Sequence, residues 1–186
     1  MDDFSGTDDD DTAYGVQEEP IPERYNKDSQ TKVELQKHIV NERVFFLPTG
    51  YKPIEILGEG AHGVVVAATT PSDNKQIAIK RIKLDLNSST SGEEDSFYRW
   101  KSGYRELSLL MQLKEKGGHP NVIRLIDSLL IAMSENEYEL MFLTSLMEKS
   151  LDDLIGSESI TKKQKKRYIY QILCGLAYLH SNNISE

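Results

Sequence analysis

Three glycines and one lysine are the residues of this chain whose types and spacing could do chemistry. Gly58, Gly60 and Gly63 take the first, third and sixth positions of one short segment, and Lys80 follows the apolar residues 77–79. Glycine lets the backbone approach a phosphate group closely, because it carries no side chain. A lysine within an apolar strand is costly unless a negative charge faces it. These features together predict a site for a nucleotide's phosphates.

The residues that follow the glycines indicate how this segment folds. In P-loop nucleotidases and in dinucleotide-binding folds the glycine segment leads into a helix. Here Val64, Val65 and Val66 follow Gly63 directly, and β-branched residues favour a strand. The segment is therefore predicted to join two strands of a hairpin. The alternative is an ordinary glycine-rich turn, with Lys80 at the edge of a sheet.

The elements that must position these residues can be predicted from apolar periodicity and turn signals. Strands are expected at residues 51–57, 64–69, 76–82, 122–131 and 139–146, with one helix at 95–116 inserted between the third and the fourth. The buried stripe expected on that helix is Phe97, Trp100, Tyr104, Leu107 and Met111. The fold class is therefore α+β, a five-stranded antiparallel sheet with one inserted helix, followed by further helices.

Two helical segments are predicted after the last strand. Residues 150–155 look like one or two helical turns, and a long helix is expected at 162–181. Thr161 and Gln164 have the spacing of a capping box at its start. Its apolar stripe is Ile169, Ile172, Leu173, Leu176 and Leu179.

Acidic residues are concentrated at the start of the chain. Residues 1–20 hold eight Asp or Glu and no Lys or Arg, so the remainder has 22 acidic and 22 basic residues and the net charge of −8 comes from the tail. We predict an acidic disordered tail over 1–25. An N-terminal extension is expected over 26–50, in which residues 33–47 are predicted to lie along the domain as a strap, and the domain itself covers 51–186. The balanced remainder gives no reason to expect nucleic-acid binding.

Cysteine usage and hydropathy bear on the compartment. Cys174 is the only cysteine of the 186 residues, so an intrachain disulfide is impossible, which suits a reducing environment. No apolar run is long enough to cross a bilayer, and the start does not resemble a signal peptide. We therefore expect an intracellular protein with no membrane partner.

The glycine segment 58–63 followed by Ala78-Ile79-Lys80 resembles the glycine loop and the third-strand lysine of the protein kinases. Residues 104–110 are similar to the kinase R-E-x-x-L-L helix segment. Leu146-Met147-Glu148 and residues 151–155 look like the hinge of the mitogen-activated protein kinases, and Thr144 is similar to their stress-activated branch. The resemblance covers residues 33–184. It implies an N-lobe over 51–146, then a hinge and the start of a C-lobe over 147–186.

This resemblance implies roles for particular residues. Lys80 would hold the α- and β-phosphates and pair with Glu106 on the inserted helix, with Glu115 as the alternative partner; Lys80 and Glu106 are the candidate catalytic residues. Asp153 could reach the ribose or be an ordinary surface carboxylate. Adenine would lie between Val65 and Ala78, above Leu57, against the hinge at Leu146 and Met147 and in front of Thr144. The loop over the phosphates would be Gly58, Glu59, Gly60, Ala61, His62, Gly63 and Val64.

The resemblance also implies cofactors, partners and a limit. ATP and Mg are expected, with an upstream MAP kinase kinase and Ser/Thr protein substrates, in the cytoplasm or the nucleus. The sequence ends at Glu186, before the family's H-R-D, D-F-G and A-P-E motifs, so we expect no metal ligands in it and no complete phosphotransferase. The alternatives are a non-catalytic binding module or decoy in a kinase cascade, and a non-functional remnant.

Overall fold

The computed structural model describes residues 24–25, 34–60, 63–85, 93–156 and 160–184. The predicted acidic tail lies outside these residues up to position 23. The described elements, in chain order, are β1 (Arg24–Tyr25), β2 (Leu35–Val40), β3 (Arg43–Pro48), β4 (Lys52–Gly60), β5 (Gly63–Thr69), β6 (Gln76–Asp85), α1 (Glu93–Glu115), β7 (Leu125–Ala132), β8 (Glu137–Ser145), α2 (Leu151–Gly156) and α3 (Lys162–Ser181).

The main sheet is antiparallel and has the strand order β1-β7-β8-β6-β5-β4. Its five long strands are the five that periodicity predicts, and α1 is inserted between the third and the fourth of them. The predicted fold class is confirmed. At one edge the two-residue strand β1 pairs with Ile131 and Leu130 of β7, although the sequence pattern places Arg24–Tyr25 within the tail.

Strands β2 and β3 form a second, two-stranded sheet within the segment predicted as a strap. Asn41 and Glu42 join them with φ of 47° and 63°, and two positive φ values are typical of a type I′ hairpin turn. The hairpin packs on one face of the main sheet. That interface is an apolar core that includes Phe45, Leu47, Val66, Ile77, Ile79, Met141 and Leu143.

Helix α1 covers the opposite face of the main sheet, and its predicted apolar stripe is wrong in part. Phe97, Tyr104 and Met111 are 61%, 60% and 39% exposed. Leu107 of the predicted stripe is buried, and Trp100 packs against the same core; Leu110 and Leu113, which the prediction did not include, are buried as well. Leu107 and Leu110 join Ile82, Leu125, Leu140 and Phe142 in a second apolar core. Gly103 also lies against the sheet, next to Ile82. Apolar periodicity does not predict this contact, because glycine has no side chain.

Helix α3 begins and ends where the sequence predicts. Thr161 accepts a hydrogen bond from the Gln164 backbone N–H, and the Gln164 side chain accepts one from Thr161, so the capping box is present. Gly175 is the only buried residue of this helix, and a Cβ there would stand 2.8 Å from the Asn121 carbonyl oxygen. Ile169 and Leu173 are both 58% exposed. No described helix has both the length and the apolarity required to cross a membrane.

Candidate functional site

Lys80 and Glu106 meet between the main sheet and α1. The Lys80 Nζ atom lies 2.6 Å from Glu106 Oε2, and the two side chains are 20% and 46% exposed. The same ammonium group lies 5.5 Å from the centroid of the Phe142 ring, a cation–π contact. The structure thus brings the two predicted catalytic residues together, and it pairs Lys80 with Glu106 rather than with Glu115.

Strand alternation places Lys80 on the face that α1 covers. Successive side chains of a strand point to opposite faces, so Ala78, Lys80 and Ile82 of β6 face α1 while Arg81 faces the β2–β3 hairpin. Glu106 can reach Lys80 because Gly103, one turn earlier, lets the helix approach the sheet. A Cβ on Gly103 would stand 2.0 Å from Cδ1 of Ile82.

The glycines lie where β4 ends and β5 begins: Gly58 and Gly60 are in β4, and Gly63 is the first residue of β5. Gly63 has a φ of +109°, and a Cβ there would stand 2.2 Å from the Arg81 carbonyl oxygen, so both conformation and space require glycine. At Gly58 and Gly60 an added Cβ would meet no atom of the described residues within 4 Å. The backbone at these two glycines is therefore open to a ligand. Ala61 and His62, predicted at the tip of the loop, lie outside the described residues.

The predicted adenine-contacting residues form a row beside Lys80. Val65 is the cross-strand neighbour of Lys80. Ala78 is the neighbour of Thr144. Val65 and Ala78 are half-buried and Thr144 is 7% exposed. Because Val65, Ala78 and Lys80 share one face of the sheet, a flat ring could lie against the first two with its phosphates toward the third.

The remaining predicted contacts are more scattered. Val64 does not join the cleft: it pairs with Arg81 and its side chain packs in the core beneath the hairpin, on the opposite face from Lys80. Leu57, at an irregularity of β4, is 45% exposed. Leu146 of the hinge is half-buried, and Met147 is 62% exposed. Glu59 is turned toward the hairpin, where it forms an ion pair with Arg43 at 2.7 Å.

Asp153 is engaged in a local structure. Its carboxylate accepts hydrogen bonds from the Ser150 hydroxyl at 2.5 Å and the Ser150 backbone N–H at 3.1 Å, while the Asp153 N–H donates to Ser150 Oγ. This is a capping box at the start of α2, and its spacing in the sequence could have predicted it. The hydrogen bond from the Ser150 hydroxyl lowers the pKa of Asp153 most, and the hydrogen bond from the Ser150 N–H lowers it further.

Sequence reasoning missed a buried ion pair beside the site. Arg81 and Glu139 are 4% and 3% exposed in their side chains and lie 3.5 Å apart, and Lys83 contacts the same Glu139 oxygen at 3.5 Å. Burial lowers the pKa of Arg81, and the charge of Glu139 opposes that shift. The sequence carried a signal for this pair: Arg81 is a second charged residue directly after Lys80 in the same apolar run, and a buried charge requires a partner of opposite sign.

Metal-ligating side chains are scattered over the described part of the chain. Nowhere among these residues do three or more His, Cys, Asp or Glu side chains gather as they would around a metal ion. The Glu106 carboxylate beside Lys80 is paired with that lysine.

Comparison with known proteins gives the family. The model of the protein kinase domain matches residues 51–185. Mitogen-activated protein kinase 13 of Arabidopsis thaliana is 32% identical over 143 residues, which are 76% of this chain and 36% of that protein. The chain thus spans about a third of the length of this curated relative. The chain belongs to the protein kinase family, and the resemblance to its mitogen-activated members is confirmed.

Proposed function

We propose that the cleft between the sheet and α1 binds ATP, as the nucleotide-binding part of a Ser/Thr protein kinase of the mitogen-activated type. The observation that carries this proposal is the 2.6 Å pair between Lys80 and Glu106. Lys80 lies on the same face of the sheet as Val65 and Ala78, and the carboxylate of Glu106 holds its side chain there. It can donate to phosphate oxygens while Glu106 keeps it in place.

The open glycines support the same proposal. Gly58 and Gly60 leave free space where a Cβ would stand, so their backbone N–H groups can approach phosphates. Phosphoryl transfer relies mainly on positioning and on charge stabilisation. The described residues would supply the positioning: the loop orients the phosphates, and Lys80 neutralises part of their charge.

The whole protein's activity forms the second half of the proposal. We infer transfer of the ATP γ-phosphate to Ser or Thr of protein substrates, activation by an upstream MAP kinase kinase, and a cytoplasmic or nuclear location. Family resemblance supports these inferences. Mg bound with ATP would neutralise phosphate charge. Since the described residues form no cluster of metal ligands, no role in holding Mg is assigned to any of them.

A binding titration tests the nucleotide site. A fluorescent ATP analogue is titrated into the 186-residue chain and into Lys80→Met, with Lys52→Met as the matched control. Lys52 is an exposed residue at the start of β4. Loss of a charged hydrogen bond to phosphate should raise the Kd for Lys80→Met by about tenfold or more, whereas the control should bind as the wild type does.

Two further measurements complete this test. Glu106→Gln, which keeps the side-chain shape and removes the charge, should weaken binding by a smaller factor than Lys80→Met. Thermal melting of each variant shows whether it is folded at the titration temperature. Equal affinities of folded Lys80→Met and Lys52→Met would refute the proposed role of Lys80.

A further inference from the structure

Three consecutive residues at the start of β3 contact β4 at the glycine loop and β6 beside Lys80. Arg43 Nη2 lies 2.7 Å from Oε2 of Glu59, the residue between the first two loop glycines. The Val44 carbonyl oxygen accepts a 2.6 Å hydrogen bond from Arg81 Nη1. The Arg81 guanidinium lies 4.0 Å from the centroid of the Phe45 ring. The hairpin therefore contacts β4 at the loop and β6 at the residue directly after Lys80.

Arg43 and Glu59 lie on the opposite side of the sheet from the cleft. Glu59 is the cross-strand neighbour of Val64, whose side chain packs in the core beneath the hairpin. Lys80 lies on the other face, beside α1. Arg43 therefore contacts the loop on the face of the sheet opposite the cleft, where it cannot contact a bound nucleotide.

Side chains of the described residues leave the space around this ion pair partly empty. A cavity of about 660 Å³ is lined by Arg43, Glu59, Gly60, Gly63 and Arg81, among others. Where this cavity adjoins the glycine loop, apolar side chains do not pack against the loop and so cannot fix its position. The 2.7 Å contact between Arg43 and Glu59 spans this region and joins the hairpin directly to the loop.

We propose that the Arg43–Glu59 ion pair positions the glycine loop, so that the β2–β3 hairpin sets the affinity of the cleft for the nucleotide. This inference rests on the proposed ATP site. Arg43 is a positioning residue: it acts through Glu59, and its loss would release the backbone of Gly58 and Gly60 from one fixed arrangement. A loop that samples several arrangements binds phosphate more weakly, because binding must then order it.

A purely electrostatic effect predicts different results from positioning. If only charge mattered, Arg43→Gln would leave Glu59 uncompensated near the phosphates and weaken ATP binding. Glu59→Gln would remove a negative charge and strengthen it. If the ion pair positions the loop, both substitutions weaken binding, because each breaks the same contact.

The experiment is a double-mutant cycle on the 186-residue chain with a fluorescent ATP analogue. Arg43→Gln and Glu59→Gln should each raise the Kd about two- to fivefold, the range expected for loss of an exposed ion pair. The double variant should be no weaker than either single one. The reversed pair, Arg43→Glu with Glu59→Arg, should recover most of the wild-type affinity. Glu55→Gln, the same change at an exposed position of β4, should leave it unchanged.

Amide hydrogen exchange without nucleotide supplies a second readout. The peptide covering residues 58–64 should exchange faster in Arg43→Gln than in the wild type and in Glu55→Gln. The reason is that Arg43→Gln removes the ion pair that joins Glu59 of this peptide to the hairpin.

The outcomes separate this inference from the proposed function. A wild-type chain that binds no ATP analogue would overturn the proposed function. If the wild type binds, opposite affinity changes in Arg43→Gln and Glu59→Gln, or affinities and exchange rates equal to those of the wild type, would overturn the role of the ion pair alone.

Discussion

Gly103 of α1 lies so close to Ile82 of β6 that a Cβ on Gly103 would stand 2.0 Å from the Ile82 Cδ1 atom. Ile82 is 1% exposed and belongs to the core shared by the helix and the sheet. Glu106 follows Gly103 by about one helical turn and reaches Lys80 at 2.6 Å. The absence of a side chain at position 103 thus sets how closely the glutamate approaches the lysine.

The first prediction is a compensation between positions 103 and 82. Gly103→Ala adds a methyl group where Cδ1 of Ile82 lies, and Ile82→Val removes that atom. Gly103→Ala should destabilise the wild type by about 1–3 kcal/mol more than it destabilises the Ile82→Val protein. Urea unfolding of the four proteins measures this coupling. An identical cost of Gly103→Ala in both backgrounds would show that the helix does not depend on this contact.

The second prediction concerns the buried ion pair. Arg81→Met would leave the Glu139 carboxylate, 3% exposed, with only Lys83, whose side chain is 66% exposed. An uncompensated buried charge costs about 3–5 kcal/mol. Removing both charges with Arg81→Met and Glu139→Met should cost less than Arg81→Met alone. Urea unfolding tests this order, and a double variant less stable than the single one would contradict it.

The third prediction is a pH dependence that arises from His38 of the hairpin. Its Nε2 atom is buried and has no hydrogen-bond partner among the residues that the structure describes, and burial lowers the pKa of His38 below its ordinary value of 6.5. As the pH falls, the imidazole of His38 therefore takes up a proton at a higher pH in the unfolded chain than in the folded chain. The contribution of His38 to stability is present above pH 6.5 and is lost as the pH falls through its lower, folded pKa.

Unfolding at two pH values measures this contribution. The urea midpoint should fall between about pH 7.5 and about pH 5.5, and the fall should be smaller in His38→Gln. His180→Gln, which removes a histidine at the exposed end of α3, is the control and should retain the wild-type fall. The prediction fails if His38→Gln and His180→Gln respond to pH alike.

The fourth prediction concerns the turn of the β2–β3 hairpin. Glu42 adopts a φ of 63°, a conformation that costs an ordinary L-residue about 1–2 kcal/mol and costs glycine almost nothing. Glu42→Gly should therefore raise the free energy of unfolding by about 0.5–1 kcal/mol, after the extra chain entropy of glycine is subtracted. Glu42→Ala keeps the Cβ atom and should bring no such gain. Equal stabilities of the two variants in urea would argue against strain at this residue.

Local pattern was sufficient for most of the fold and for Lys80, one residue of the central pair of the site. The five strands, the inserted helix and the limits of α3 follow from periodicity and capping, which depend on residues a few positions apart. Lys80 stood out because a charge within an apolar strand requires a partner. The resemblance to kinases then identified Glu106 as that partner, and the two atoms lie 2.6 Å apart.

Tertiary structure decided which faces meet, and with them the rest of the site. Gly103 lies against Ile82 of the sheet, next to the buried Leu107 and Leu110 on the same helix, while Tyr104, which periodicity predicts as buried, is 60% exposed. The hairpin turns Glu59 toward Arg43 and places Val64 in a core away from the cleft. These contacts join residues far apart in the sequence. They depend on how closely the backbones approach, and periodicity along one strand or helix carries no information about that distance.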